Sequence, residues 1–142
     1  MKINISSDHA GVELKAAITK HLITNYEVND LGPSSTDSVD YPDYAHKLIE
    51  DMQTNNVPIS ILICGSANGV SMVANKYKDI RAAICWNKDI ADLARKHNNA
   101  NVLSLPARFI TESQAFEIVD TFLHTEFEGG RHLRRVNKIN CD

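Results

Sequence analysis

Ile59-Ser-Ile-Leu-Ile-Cys-Gly-Ser-Ala-Asn-Gly-Val-Ser71 decides how the rest of this chain is read. An apolar run of strand length ends at a thiol. Glycine, a hydroxyl and a second glycine follow, and a helical pattern then sets in. That order puts Cys64 where a buried parallel strand stops and a helix begins. Open α/β sheets bind ligands at that edge. Free N–H groups at a helix start favour negative charge, and a thiol beside them is biased toward thiolate. The segment offers a base or nucleophile next to a cradle for an anion.

The same alternation extends in both directions. Lys2–Ser7 reads as a first strand, Gly11–Thr24 as an amphipathic helix and Tyr26–Asp30 as a short second strand. Gly32–Asp40 is a polar loop, long for a βα connection, and Pro42–Asn56 is helical with proline near its first turn. Beyond the third strand, Ile59–Cys64, come a helix over Ala67–Lys76, a strand over Arg81–Cys85 and a helix over Lys88–His97. A fifth strand, Asn101–Leu105, and a helix over Thr111–Leu123 capped by Thr111 complete the repeat. Phe127–Ile139 is a last helix that no strand follows. Strands alternating with helices imply a doubly wound parallel sheet. The expected fold is α/β, a three-layer αβα Rossmann-like sandwich with a five-stranded parallel sheet and an extra C-terminal helix. Right-handed crossovers gather the βα loops on one edge, bringing together Ser7-Asp8-His9, Gly32–Asp40, Cys64–Gly69, Trp86-Asn87 and Pro106-Ala107-Arg108.

The chain has 142 residues, enough for one domain with a normal core, and it reads as a single domain over 1–142. Hydrophobic content of 43% and charged content of 23% are ordinary for a soluble globular protein. A net charge of −3 argues against a broad nucleic-acid surface. The charge is uneven: Glu128–Asp142 carries Arg131, Arg134, Arg135 and Lys138 against two acids, so this tail is +2 and the remainder −5. A local anion site fits that asymmetry. The three cysteines are widely spaced without C-x-x-C, which points away from disulfides and zinc and toward a reducing cytoplasm. Neither a signal-peptide core nor a membrane-length apolar run is present.

Each candidate residue also has a bland reading. Cys64 alone is a small buried hydrophobe, but core packing requires neither of the glycines after it nor Ser66. A phosphatase loop would need arginine six residues after the thiol, and position 70 is valine. Asp8 suits a helix cap; functionally, Asp8 and His9 face the same crevice as Cys64. His97-Asn98 is a routine helix C-terminus, although His titrates near neutrality and can move a proton. Arg131 and Arg135 lie one helical turn apart on one face, either as a solvated stripe or as a bidentate phosphate clamp. Arg108 follows the fifth strand on the ligand edge, and Tyr41 is either packing or a phenol over the crevice. Cys85 reads as core and Cys141 as exposed and idle.

Together, Ser7-Asp-His9, Asp40-Tyr-Pro42, Ile63-Cys-Gly-Ser-Ala-Asn-Gly-Val-Ser71, Ala74-Asn-Lys76, Ile80-Arg-Ala82, His97-Asn98, Asn101-Val-Leu103 and Glu128-Gly-Gly-Arg-His132 with Arg135 resemble type B ribose-5-phosphate isomerases. That family also includes galactose-6-phosphate isomerase subunits. The match covers essentially the whole chain. The resemblance implies interconversion of D-ribose 5-phosphate and D-ribulose 5-phosphate without metal or organic cofactor. By resemblance Cys64 is the catalytic base and His97 the ring-opening acid. Asp8, His9, the Gly65-Ser66-Ala67-Asn68-Gly69 loop, Asn98, Arg108, Arg131 and Arg135 would contact substrate. The family loop often reads Cys-Gly-Thr-Gly-x-Gly; here Ser66 replaces threonine, and Ala67-Asn68 stand where glycine and a variable residue are common. The backbone cradle survives this replacement if Ala67 has φ below zero. Galactose-6-phosphate isomerase subunits tend to lack the His-Asn pair, so His97-Asn98 favours the pentose enzyme.

The chemistry agrees with these roles. An aldose–ketose isomerase moves a proton between C2 and C1 through an enediolate, which needs a base, oxyanion donors and an acid to open the ring. Cys64 can serve as base. The Gly65–Gly69 N–H groups with the Ser66 hydroxyl can stabilise the enediolate, at about 3 kcal/mol per well-placed donor. The arginines would hold the phosphate and orient the sugar. Yet Cys64 ends a strand, while His97 ends a helix returning to the opposite sheet edge, and a five-residue strand is about 16 Å long. The expectation is therefore a homodimer with interfacial sites, His97 coming from the partner chain, with a tetramer left open. No nucleic-acid or membrane partner is expected. The rival readings are an isomerase of a six-carbon sugar phosphate, such as allose or galactose 6-phosphate, and a non-catalytic nucleotide-binding module. A dinucleotide-dependent dehydrogenase is disfavoured because no G-x-G-x-x-G follows the first strand.

Overall fold

The computed structural model describes residues 1–141. Five parallel strands form one sheet: β1 (Lys2–Ser7), β2 (Glu27–Asp30), β3 (Ile59–Cys64), β4 (Ala82–Ile84) and β5 (Val102–Pro106), in the order β2-β1-β3-β5-β4. The helices are α1 (Val12–Leu22), α2 (Tyr41–Thr54), α3 (Asn68–Ala74), α4 (Lys88–Asn98), α5 (Glu112–His124) and α6 (Arg131–Val136). Helices α1, α4 and α5 cover one face of the sheet, and α2 and α3 cover the other. This is the expected three-layer αβα Rossmann-like sandwich. Among the described residues, no helix is long and apolar enough to cross a membrane.

Strand geometry sends alternate side chains to opposite faces. Ile59, Ile61 and Ile63 of β3 pack with Ile18, Leu22, Ile118 and Phe122 beneath α1 and α5. Leu62 and Cys64 pack with Leu48, Met52, Val70 and Ala74 beneath α2 and α3. Both β3 faces are covered, so the strand is a continuous buried run, as central parallel strands are. Full burial of a side chain such as Phe122, 0% exposed, contributes about 1.5–3 kcal/mol. Gly11 lets the start of α1 approach this sheet. A Cβ there would lie 2.7 Å from Ile63 Cγ2 and 2.9 Å from Ser7 Cβ.

Several boundaries differ from the sequence reading. A 3-10 turn, His9–Gly11, precedes α1. β4 is Ala82–Ile84 rather than Arg81–Cys85. Side chains satisfy the N–H groups at its start: Asn75 Oδ1 accepts from the Ala82 N–H at 2.8 Å and Asn101 Oδ1 from the Arg81 N–H at 2.8 Å. The last helix is the largest correction, Arg131–Val136 in place of Phe127–Ile139. Gly129 and Gly130 have φ of 67° and 54°, which cannot continue a right-handed helix. The cap at Thr111 is as expected, with its side chain accepting from Gln114 in a reciprocal capping box.

The strand order places the ligand edge. From β1 the chain winds outward to β2, then crosses back to β3 on the other side, so β1 and β3 flank the switch point where open α/β sheets bind ligands. Asp8 follows β1, and Cys64 ends β3.

Candidate active site

The loops after β1, β3 and β5 are tied together through backbone. The Asp8 N–H donates to Ile63 O at 3.0 Å, Ala107 N–H to Cys64 O at 2.9 Å, and Arg108 N–H to Gly65 O at 3.1 Å. A cavity of about 370 Å³ opens between them, lined by Asp8, Tyr41, Cys64, Gly65, Ser66, Gly69, Arg108 and Phe109. Seven of these are residues the sequence singled out. Phe109 is the one missed; it is 73% exposed, and an aromatic beside Arg108 in a ligand-edge loop was the available signal.

Cys64 is buried at the cavity wall, and its Sγ accepts the Ala67 N–H at 3.1 Å. The loop thus aims a backbone donor at the sulfur. It attains this contact by a turn other than the one expected from the sequence: Ala67 has φ 66°, not a negative value. A left-handed alanine costs about 1–2 kcal/mol, and bonds on both sides of the residue hold it there. Its N–H serves Cys64, while its carbonyl accepts the Ser71 hydroxyl at 2.7 Å and the Ser71 N–H at 3.3 Å. The Ser66 hydroxyl is exposed and accepts from Asn68 Nδ2 at 3.2 Å. Asn68 thus orients Ser66 without itself lining the cavity.

The walls explain the glycines. A Cβ on Gly69 would sit 2.6 Å from the Tyr41 ring, and one on Gly65 would sit 3.1 Å from an Arg108 guanidinium nitrogen. Tyr41 and Arg108 close over the loop because those positions lack side chains. Asp8 behaves as the cap its position suggests, with Oδ1 accepting the Ala10 N–H at 2.9 Å, and it also lines the cavity. His9 does not line it. Its Nδ1 accepts the Val39 N–H at 3.2 Å, holding the Gly32–Asp40 loop and leaving Nε2 as the donor nitrogen.

The remaining candidates gather elsewhere. His97 and Asn98 close α4, five and four residues before β5, on the opposite sheet edge. Asn98 lines a second cleft of about 660 Å³ with Asn75, Lys76, Arg81 and Asn140. The His97 ring stacks on His132 of α6, with centroids 4.3 Å apart and planes within 13°. His132 Nε2 lies 3.6 Å from a Glu128 carboxylate oxygen. Burial holds the His132 pKa below the ordinary histidine value; the charges of His97, Arg131 and Arg135 push the same way, and Glu128 opposes them. One ligand atom from each of His97, Glu128 and His132 lies within 4.8 Å of the other two. Arg131 and Arg135 are exposed on α6. Cys85 is core, its thiol pushed up to about 12 by burial, and Cys141 is exposed.

One chain therefore carries a thiol cavity at one sheet edge and a histidine–arginine surface at the other. The family model for ribose/galactose isomerases matches residues 3–139. The chain belongs to that family. It is 50% identical over 139 residues to a probable ribose-5-phosphate isomerase B of Mycoplasma pneumoniae, covering 96% of this chain and 91% of that one. It is 41% identical over 141 residues to ribose-5-phosphate isomerase B of Escherichia coli, covering 99% and 95%. Among solved structures, ribose 5-phosphate isomerase of Thermotoga maritima superposes with a TM-score of 0.94 at 52% identity, covering 97% and 96%. Ribose-5-phosphate isomerase B of Mycoplasma genitalium with bound ribulose 5-phosphate superposes with a TM-score of 0.93 at 48% identity, covering 97% and 93%.

Proposed function

We propose that this chain is a single-domain aldose–ketose isomerase that interconverts D-ribose 5-phosphate and D-ribulose 5-phosphate, with each site built by two copies of the chain. The observation that carries the chemistry is the Cys64 sulfur, held by the Ala67 N–H at the wall of a cavity shared with Asp8, Ser66 and Arg108. Membership of the family and likeness to a relative solved with ribulose 5-phosphate support the substrate.

In the aldose-to-ketose direction, His97 of the partner subunit protonates the furanose ring oxygen as the C1 hydroxyl loses its proton, giving the open-chain aldehyde. The Cys64 thiolate removes the C2 proton. Charge develops on the oxygen at C1 and is met by the Ser66 hydroxyl and the loop's backbone donors, the arrangement that most lowers such barriers. The C2 hydroxyl passes its proton to the oxygen at C1 as the carbonyl forms at C2, and the Cys64 thiol returns its proton to C1. Arg131 and Arg135 hold the phosphate by charge-assisted hydrogen bonds, with Asn98 beside them, while Asp8, His9, Tyr41 and Arg108 fix the sugar. The proton passes between C2 and C1 by way of one sulfur, and this chain supplies every group named.

The supporting argument for two copies is the distance between sheet edges. Cys64 pairs with Pro106 at one end of β5, and His97 precedes Val102 at the other end. A two-fold arrangement brings the α4–α6 surface of one copy over the thiol cavity of the other.

A coupled assay with ribose 5-phosphate and allose 6-phosphate, with and without chelator, tests the function. Turnover of the pentose phosphate, unchanged by chelator, is expected, and Cys64→Ala lowers it about a thousandfold while calorimetry still detects sugar-phosphate binding. Preference for the hexose phosphate moves the assignment to a six-carbon isomerase. A Cys64→Ala protein with full turnover, or a wild type that binds without turning over, ends the proposal.

A further inference from the structure

The Gly-Gly-Arg-His segment contains one residue that the chemistry above does not use. His132 is the second residue of α6, is 8% exposed, and lays its ring on that of His97. The contact is built by backbone. The Glu128 N–H donates to Lys96 O at 3.2 Å, fastening the chain before α6 to the end of α4. Gly129 and Gly130, with φ of 67° and 54°, turn it back. The His132 N–H then closes on Gly129 O at 3.0 Å. Among the described residues, no hydrogen bond to the His97 ring accompanies this stack.

We propose that His132 is a positioning residue for ring opening: its stacked imidazole fixes the plane in which His97 presents its nitrogens to the sugar. This rests on the reading of His97 as the ring-opening acid. A histidine at a helix end turns about two torsions, and a proton donor must hold its nitrogen within hydrogen-bond reach of the ring oxygen. A flat neighbour 4.3 Å away removes the freedom to tilt but leaves the ring edge open. An aromatic face also attracts a cation, so the arrangement tolerates His97 in its protonated form, provided that His132 stays neutral. The surroundings provide for that. Burial, His97, Arg131 and Arg135 all disfavour a charge on His132, with Glu128 alone opposing. Asp92, five residues before His97 on α4, interacts favourably with a charged His97. The stack needs only a flat ring, so phenylalanine can replace His132 and alanine cannot.

The test compares His132→Ala, His132→Phe and His97→Gln in two assays. Turnover of ribose 5-phosphate requires ring opening. Solvent-deuterium exchange at C1 of ribulose 5-phosphate, which is acyclic, requires only the Cys64 step. His132→Ala is expected to lower kcat for ribose 5-phosphate about tenfold or more with KM within about twofold, and to keep most of the exchange. His132→Phe is expected to restore kcat to within about threefold of wild type. Circular dichroism and thermal unfolding confirm that each variant folds. Wild-type kcat in His132→Ala overturns the proposal, as do equal losses in both assays or a His132→Phe protein no better than alanine. If His97→Gln retains full turnover of ribose 5-phosphate, the role given to His97 has failed and this proposal falls with it. If His97→Gln is inactive and His132→Ala is not, only this proposal falls.

Discussion

The two sheet edges of this molecule are built in different ways. At the Cys64 edge, backbone fixes everything: three loops share ladder-like hydrogen bonds, Cys64 and Ala67 are buried, and the glycines have no room for a side chain. At the His97 edge, function rests on side chains over helix ends. Arg131 and Arg135 are exposed, and a Cβ on Gly129 or Gly130 would meet nothing within 4 Å. In the proposed reaction, the group that abstracts a proton from carbon is preorganised inside one chain. The groups proposed to grip phosphate and open the ring stand on an exposed surface over helix ends.

The strongest way to break this contrast is to separate the edges genetically. Cys64→Ala and His97→Gln, each inactive alone with ribose 5-phosphate, are refolded together. Random pairing puts half the dimers in mixed form, each with one intact composite site, so activity is expected to return to about a quarter of wild type. A mixture as inactive as its parents confines each site to one chain.

A smaller effect sharpens the contrast in rigidity. Gly11→Ala drives a Cβ to 2.7 Å from Ile63 Cγ2 beneath the thiol edge and is expected to cost about 1–3 kcal/mol by urea unfolding. Arg134→Ala, on the exposed surface of α6, is expected to change stability by less than about 0.5 kcal/mol. Equal losses would mean that the two edges are equally packed.

The smallest effect concerns pH. The folded-state pKa of His132 lies below its unfolded value, for burial first and then nearby positive charge. The unfolded chain therefore binds more protons as pH falls through the ordinary histidine range, near 6.5, and stability declines there. The contribution is complete above that range and lost toward the depressed folded value. Unfolding midpoints measured from pH 8 down to pH 5 are expected to fall, less steeply in His132→Phe. A His132→Phe slope identical to wild type would remove this histidine from the account.

The buried half of the fold was legible in the sequence. β1 and β3 have the expected limits and β5 lies within one residue of them, because continuous apolar runs between turn residues have few other fates. The thiol cavity was legible for the same reason: its residues follow strand ends. What escaped depended on long-range or conformational choices. Helical periodicity ran on through 127–130, where two glycines instead turn the chain. Ala67 takes a left-handed conformation because its partners, Cys64 and Ser71, are worth more than the local preference. The His97–His132 stack joins two elements through that glycine turn, and no spacing rule connects them.

β3 also acts as a partition. Its odd-numbered side chains belong to the layer under α1 and α5 and its even-numbered ones, Cys64 included, to the layer under α2 and α3. Tyr41 and Phe109, 41% and 73% exposed, bound the cavity from outside both layers. Variation at these two positions reshapes the space beside the sulfur without disturbing either packed interior, so descendants of this chain can explore longer or shorter sugars while their thermal tolerance stays as it was.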